Sequence, residues 1–429
     1  MKIGFYTLGC KVNQYETEAM EELFRQRGHT IVPPGPDCDV CVINTCTVTG
    51  ISDRKCRQII RRARQDNPGC VLAVTGCYSQ THPAQAASIP GVDIVTGTGG
   101  RAELPSLVER FLAERRPLTQ VSDARQHRDF EALSIGAFEG HTRASLKIQD
   151  GCDNFCSYCI IPYARGPVRS RPLPEILSEA RRLLEAGFVE LVLTGIHLCS
   201  YGKDTGSELL DVLEALDRLP GTFRLRLGSL EPSYFTPERA ARLAALGHLC
   251  PHFHLSLQSG CDRTLRAMNR HYTSEQFRQS AALLRQALPG ATLTTDVIVG
   301  FPGETPEDFA LSAAFVEEME FLQCHVFPYS PREGTPAARM SGQIPGDEKH
   351  RRAAEMSRRT GLIRCRLLEK QVGRTLPVLF EMFPQGDLYE GFSPEYYPVR
   401  VSSPQTLSRQ VRQVLITGVE GDALTGRLV

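Results

Sequence analysis

The chain lacks an excess of charge of either sign: across 429 residues, Lys plus Arg and Asp plus Glu total 49 each. Net charge therefore does not advertise a nucleic-acid partner, and any such contact must come from local patches. No apolar run reaches the roughly eighteen residues a membrane-spanning helix needs. No repeat of solenoid length and no low-complexity tract occurs. The opening segment Met1–Thr7 reads as a strand and has no long apolar stretch of the export type. A cytoplasmic protein is expected. Cysteine, by contrast, is plentiful. Fifteen in a large chain without an export signal point to a reducing compartment, where thiols are metal ligands or buried packing. The length and a 41% hydrophobic content give two or three domains with ample core.

Strand-like apolar runs alternate with polar helical stretches from Met1 to about Val108. The strands are Ile3–Leu8, Val40–Thr45, Val71–Thr75 and Val92–Thr96, and the helices Tyr15–Arg27 and Ser52–Arg64 follow the first two. This alternation predicts a parallel sheet of Rossmann or flavodoxin type. A polar linker, Asp123–Glu139, follows. From Arg143 to Ser330 six strands are expected: Ala144–Ile148, Val189–Thr194, Phe223–Gly228, Phe253–Leu257, Leu293–Val299 and Cys324–Tyr329. Helices between them give a partial, laterally open (βα)6 barrel. A charged helix from Gly346 to about Gln371 closes it. The last segment is broken by Gly, Pro and Ser and reads as a small β-barrel. The expected domains are 1–122, 138–368 and 371–429, an α/β architecture with a β-barrel appended.

The run Cys152-Asp153-Asn154-Phe155-Cys156-Ser157-Tyr158-Cys159 carries the most chemistry. Three soft thiolates in one short loop suit an iron–sulfur cluster or zinc. Zinc wants a fourth ligand, and no paired cysteines or histidine stand nearby. Three further cysteines share one address: Cys10 follows the first strand, Cys46 the second and Cys77 the third. Carboxyl ends of parallel strands line one sheet edge, where ligand sites gather. Coincidence is the competing reading, since free cysteine is often simply buried. The other nine cysteines, including Cys38, Cys41, Cys56 and Cys70, read as packing.

The spacing C-x3-C-x2-C resembles that of the radical S-adenosylmethionine (SAM) enzymes. The whole chain is similar to the methylthiotransferase family within that class. The resemblance rests on Thr7–Thr17 (TLGCKVNQYET), Asn44–Thr49 (NTCTVT), Thr75–Tyr78 (TGCY), Gln149–Cys152 (QDGC), Ile160–Gly166 (IIPYARG) and Arg169–Arg171 (RSR). It implies two 4Fe-4S clusters, one on Cys152, Cys156 and Cys159 that cleaves SAM, and one on Cys10, Cys46 and Cys77 that holds sulfur. It further implies SAM as cofactor, a radical taking the hydrogen from carbon 2 of a purine, and a C-terminal barrel like the RNA-binding TRAM domain. Lys11–Tyr15 and Ile160–Gly166 look like the branch acting on N6-threonylcarbamoyladenosine at position 37 of tRNA, with the anticodon stem-loop as partner. The alternatives are isopentenyladenosine of tRNA, an aspartate of a ribosomal protein, or a non-catalytic iron–sulfur RNA-binding protein. An electron donor and a sulfur source are implied without being identified, and a monomer is expected.

The same resemblance points to SAM contacts at Gly195, Asp296 and Gly300, and a place at the barrel strand ends adds Glu231 and Gln258. The competing reading for the glycines is an ordinary βα turn. Tyr158 is expected to pack against the cluster. Arg165, Arg169 and Arg171 are candidates for a phosphate or the SAM carboxylate. Arg54, Lys55, Arg57, Arg61, Arg62 and Arg64 form one basic helical patch for RNA, and Lys349–Arg366 holds a second. The last domain, with five Arg against six acids from Gln371 onward, shows no charge signature for RNA.

Overall fold

A computed structural model describes every residue except 132, 134, 136–140 and 383. The amino-terminal sheet is parallel, in the order β2-β1-β3-β4-β5-β6, with β1 Lys2–Thr7, β2 Thr30–Val32, β3 Val40–Thr45, β4 Val71–Gly76, β5 Ile94–Thr96 and β6 Leu118–Gln120. Helices α1 (Lys11–Gln26), α2 (Gly50–Asp66), α3 (Cys77–Thr81), α4 (Pro83–Ala87) and α5 (Leu104–Glu114) connect them. Alternate residues serve opposite layers. Ile3, Phe5, Val40 and Val42 meet Met20, Phe24 and Phe111 on one side, while Ile43, Leu72 and Val74 meet Ile60, Ala63 and Ile89 on the other. Strands β2 and β6 were not anticipated; at three residues each they carry too little pattern to read.

The middle region starts with β7 (Ala144–Lys147), then β8 (Gln149–Asp150), α6 (Ile161–Arg165) and β9 (Arg169–Ser170). After α7 (Leu173–Glu185) come β10 (Glu190–Thr194), α8 (Leu209–Asp217), β11 (Arg224–Leu227) and β12 (Ser229–Leu230). The series continues through α9 (Pro237–Ala244), β13 (His252–Leu255), α10 (Asp262–Ala267), α11 (Ser274–Ala287), β14 (Thr292–Val299), α12 (Pro306–Met319) and β15 (Gln323–Pro328). Two parallel sheets, β7-β10-β11 and β12-β13-β14-β15, meet where β11 passes through Gly228 into β12. Strands β7 and β15 are the outer edges, and among the described residues no pairing joins them. The barrel is open, as six strands require. Leu191, Leu193, Leu225, Phe253 and Leu293 pack outward against the helices. Their alternates Glu190, Arg226, His252, His254, Thr294 and Asp296 therefore face the interior.

Helix α13 (Gly346–Glu369) leads to a closed barrel of β16 (Thr375–Phe380), β17 (Leu388–Phe392), β18 (Pro398–Ser402), β20 (Ala423–Leu428) and β19 (Val411–Glu420), in that order. It covers the amino-terminal end of the open barrel. Arg224 Nη2 donates to Pro377 O at 3.1 Å, Arg226 Nη1 donates to Pro394 O at 3.0 Å, and Tyr396 stacks on His252 at 4.5 Å. Linker Asp123–Glu139 is not uniformly exposed, because Ala124, Leu133 and Ile135 are buried. Its end, and the expected start of the second domain at 138, lie outside the described residues.

Candidate active site

The loop triad follows β8. Gly151 has φ +73°, and a side chain there would overlap the carbonyl oxygen of Pro167, so glycine alone lets the loop fold back on itself. Cys152 N donates to Gly166 O at 3.1 Å, and Ser157 N to Met268 O at 2.9 Å. Asn269 Nδ2 adds a bond to Phe155 O at 3.0 Å. Pinned in this way, the three thiols lie within one another's fields. Burial first, then neighbouring sulfur, pushes Cys152 up to about 11 and Cys159 up to about 12. Both are neutral without metal and must release protons to bind iron. Arg270 Nη1 stands 3.3 Å from Cys156 Sγ, a cation suited to offset a negative cluster. Tyr158 packs edge-on to Phe301 at 6.5 Å.

The sheet-edge triad is built differently. Cys10 is the residue before α1, Cys46 follows β3, and Cys77 opens α3. Because β1, β3 and β4 are neighbours in the sheet, residues far apart in sequence arrive together. Asn13 ties the strand ends: its Nδ2 donates to Leu8 O at 3.0 Å and Thr45 O at 2.9 Å. Gly9 (φ +120°) brings the first loop so close that a Cβ would stand 3.0 Å from Cys46 Cβ. Burial raises Cys77 to about 11, with Cys10 and Cys46 adding to the rise. Cys46 and Cys77 are buried, whereas Cys10 is exposed. Cys56 donates its thiol to Cys46 O at 3.2 Å and acts as packing. Among the described residues no three ligands close on a single metal ion. A cubane cluster asks for something else: each thiolate binds a different iron, so its sulfurs stand farther apart than those around one ion.

Arg165 joins the two regions. Its Nη2 lies 3.0 Å from Asn13 Oδ1, and its Nη1 reaches Glu16 at 2.5 Å and Asp150 at 3.3 Å. Lys147 bonds both carboxylates at 2.7 Å, and Arg101 reaches Glu16 at 2.9 Å. Burial would raise both acids, but these cations outweigh it and hold Glu16 and Asp150 below the usual carboxylate range. The expectation that Arg165, Arg169 and Arg171 meet a phosphate or the SAM carboxylate is therefore corrected. All three are buried: Arg169 reaches Asp150 at 3.5 Å, and Arg171 pairs with Glu179 at 2.5 Å. Buried carboxylates of neighbouring elements take their charge instead.

The remaining candidates divide. Glu231 sits beside the loop: His197 Nε2 approaches at 2.9 Å, Asn154 Nδ2 at 3.2 Å and Arg270 Nη2 at 3.2 Å. Burial would raise it, yet His197 and Arg270 prevail and bring it to about 2. Gly195 presses on Gln149, where a Cβ would meet Oε1 at 2.9 Å. Gln258 (φ +64°) donates its N–H to Asp296 O at 2.8 Å, and the Asp296 carboxylate lies 3.3 Å from His254. Gly300 stands apart, against Lys349 of α13. His197, Arg270 and Asn154 went unremarked as site residues: the first lies two residues after Gly195 and the last two before Cys156, whereas Arg270 is 114 residues from Cys156 and carried no signal. Of the basic helix, Arg54, Lys55, Arg61 and Arg62 are exposed, while Arg64 is tied to Asp93 at 2.7 Å. The second patch is largely self-neutralised: Arg352 is buried against Glu304 at 2.6 Å, and Arg359 pairs with Glu355 at 2.7 Å.

A model of the Radical SAM superfamily matches residues 146–316, and one described as Uncharacterized protein family UPF0004 matches residues 2–97. In shape, the chain is similar to the radical SAM methyltransferase TsrM of Kitasatospora setae (TM-score 0.57, 17% identity, 79% of this chain and 75% of that one). The fold and the cysteine loop thus define a radical SAM enzyme, for which one 4Fe-4S cluster and SAM are the cofactors. Sequence relatives narrow the class. The chain is 41% identical over 420 residues to threonylcarbamoyladenosine tRNA methylthiotransferase MtaB of Bacillus subtilis, covering 96% of this chain and 93% of the relative. The Thermotoga maritima protein of the same name is 36% identical (91% and 89%). A tRNA-2-methylthio-N(6)-dimethylallyladenosine synthase of Moorella thermoacetica is also 36% identical (99% and 93%). The chain belongs to the methylthiotransferase family.

Proposed function

We propose that this chain is a tRNA methylthiotransferase placing a methylthio group on carbon 2 of N6-threonylcarbamoyladenosine at position 37, in the anticodon stem-loop. The observation that carries this reading is the end-to-end likeness to the Bacillus subtilis enzyme. The Moorella relative keeps dimethylallyladenosine as a second substrate reading. Residues 138–368 form the SAM-binding unit, 1–122 carry a second 4Fe-4S cluster, and 371–429 are a TRAM-like RNA-binding unit. No helix among the described residues is long and apolar enough to cross a membrane; the enzyme works in the cytoplasm, where tRNA is.

Cys152, Cys156 and Cys159 hold one cluster; Cys10, Cys46 and Cys77 hold the other. Bound together with SAM, the first supplies a carbon radical for a C–H bond too weakly acidic for any side-chain base. The chain's own residues prepare the ground. Arg270 compensates charge at Cys156, and ionised Glu231 fixes Asn154 and His197 beside the loop. Gly195 lets the backbone approach a ligand without a side chain intervening. Gln258 and Asp296 line the facing strands, and Gly300 shapes the turn behind them. Exposed Cys10 opens the second site toward the substrate. Incubating reconstituted enzyme, SAM and an anaerobic reductant with a stem-loop carrying threonylcarbamoyladenosine should yield the methylthio product by mass spectrometry. Product only on the dimethylallyl stem-loop would transfer the assignment to the second reading.

A further inference from the structure

One short segment touches both thiol sites. Strand β15 ends at Pro328, and four residues on, the side chain of Arg332 is buried. Its Nη1 donates to Asp53 Oδ2 and its Nη2 to Thr47 Oγ1. Thr47 is the residue after Cys46. Its hydroxyl donates to Asp53 Oδ1 at 2.8 Å and lies 3.4 Å from that of Thr81, in the helix that opens with Cys77. Arg332 thus holds the loop of one candidate thiol and, through Thr47, the helix of another. Five residues further along, Ala337 N donates to Ser157 O at 2.8 Å, between Cys156 and Cys159. The chain between these contacts is stiff. Thr335 folds both its N–H (3.1 Å) and its hydroxyl (2.6 Å) onto Arg332 O. Gly334 has φ +86° and faces Ile160, whose Cδ1 would stand 3.4 Å from a Cβ there. Ala337 is packed with Met268, Phe301 and Tyr329, and Tyr158 lies against them.

Arg332 and Arg165 stand on opposite sides of the barrel opening. Arg165 meets Asn13 and Glu16 of α1, the helix after Cys10, and Lys147 of edge strand β7 bonds the same Glu16. Arg332 follows the other edge strand, β15. The amino-terminal unit is therefore fastened to both edges of the gap that six strands leave. Chemistry that draws on both sites needs them held in one geometry, and an error of about 1 Å can cost about 100-fold in rate. A guanidinium suits this task, since two nitrogens in one fixed plane serve two acceptors at once, which an ammonium does poorly. We propose that Arg332 is a positioning residue: with the segment to Ala337 it fixes the spacing and facing of the Cys10/Cys46/Cys77 site relative to the Cys152/Cys156/Cys159 loop. This rests on the two-site reading above.

The test compares the wild type with Arg332→Met and Arg332→Lys. In the metal-free chains, hydrogen exchange is followed over Thr47–Arg57 and, as a remote control, over Ser274–Ala287. In the reconstituted enzymes, iron, deoxyadenosine and methylthio product are counted on a stem-loop carrying threonylcarbamoyladenosine. Arg332→Met should speed exchange over Thr47–Arg57 about 10- to 100-fold and leave Ser274–Ala287 unchanged. It should hold the same iron and cleave SAM at the wild-type rate, but release about 10- to 100-fold more deoxyadenosine per methylthio group. Arg332→Lys keeps the ion pair and gives up one bond of the fork, so it should raise that ratio about 3- to 10-fold. It decides the matter alone if Arg332→Met does not fold. A wild-type ratio in the folded variants overturns the proposal. So does loss of iron, or a parallel fall of deoxyadenosine and product, the mark of a residue that only stabilises. A wild type without methylthio product overturns the substrate reading instead. Exchange then judges the segment by itself, and unaltered exchange over Thr47–Arg57 in Arg332→Met overturns the positioning role.

Discussion

Two thiol triads in one chain are gathered by opposite means. Cys152, Cys156 and Cys159 lie within eight residues, and a single glycine turn with a few backbone bonds suffices to converge them. Cys10, Cys46 and Cys77 are separated by 36 and 31 residues, and only the neighbouring order of β1, β3 and β4 brings them together. The first is a local structure that the barrel presents; the second is a property of the sheet as a whole. Damage to the amino-terminal sheet should therefore dismantle one site and spare the other, provided the Arg165 junction holds.

The largest effect separates the triads directly. Reconstituted wild type should hold about eight irons. Cys10→Ala should keep SAM cleavage to deoxyadenosine and lose methylthiolation, whereas Cys152→Ala should lose both. Methylthiolation persisting in Cys10→Ala would erase the distinction. Next is the junction. Arg165→Met leaves Glu16 and Asp150 buried with too little positive charge, costing about 3–5 kcal/mol, visible as a lower urea midpoint. An unchanged midpoint would mean that the two regions are not coupled through this cation.

Acid should act through the same acids. Glu16 and Asp150 are held below their unfolded values, so their contribution is complete above the ordinary carboxylate range and is lost as pH falls through the folded values. The metal-free wild type should accordingly lose urea stability from about pH 5 downward, and Arg165→Met should lose less over that interval. The smallest effect is on RNA. Replacing exposed Arg54, Lys55 and Arg61 with Ala should weaken stem-loop binding by a few-fold each and flatten its salt dependence by about one unit per contact. SAM cleavage without RNA should not change.

Much of this was legible beforehand. The six expected barrel strands and the helices between them follow from their alternation, and Ser274–Ala287 and Val40–Thr45 fall where the pattern puts them. The cysteine loop is readable because its three thiols are close in the chain. Short strands such as Thr30–Val32 and Leu118–Gln120 escaped, since three residues supported mainly by sheet pairing carry little pattern of their own. Arg165, Arg169 and Arg171 were misread for a related reason. A basic run looks solvated until the partner acids arrive from distant elements, here Glu16 on α1 and Glu179 on α7.

Sequence alone determined the soft-thiol chemistry on offer, the order of the three regions and the βα alternation, because each depends on side-chain type and local periodicity. Tertiary structure alone decided which charges are buried and paired, and that Arg165 joins α1 to the start of the cysteine loop. Those are contacts between segments whose separation along the chain says nothing about their distance in space.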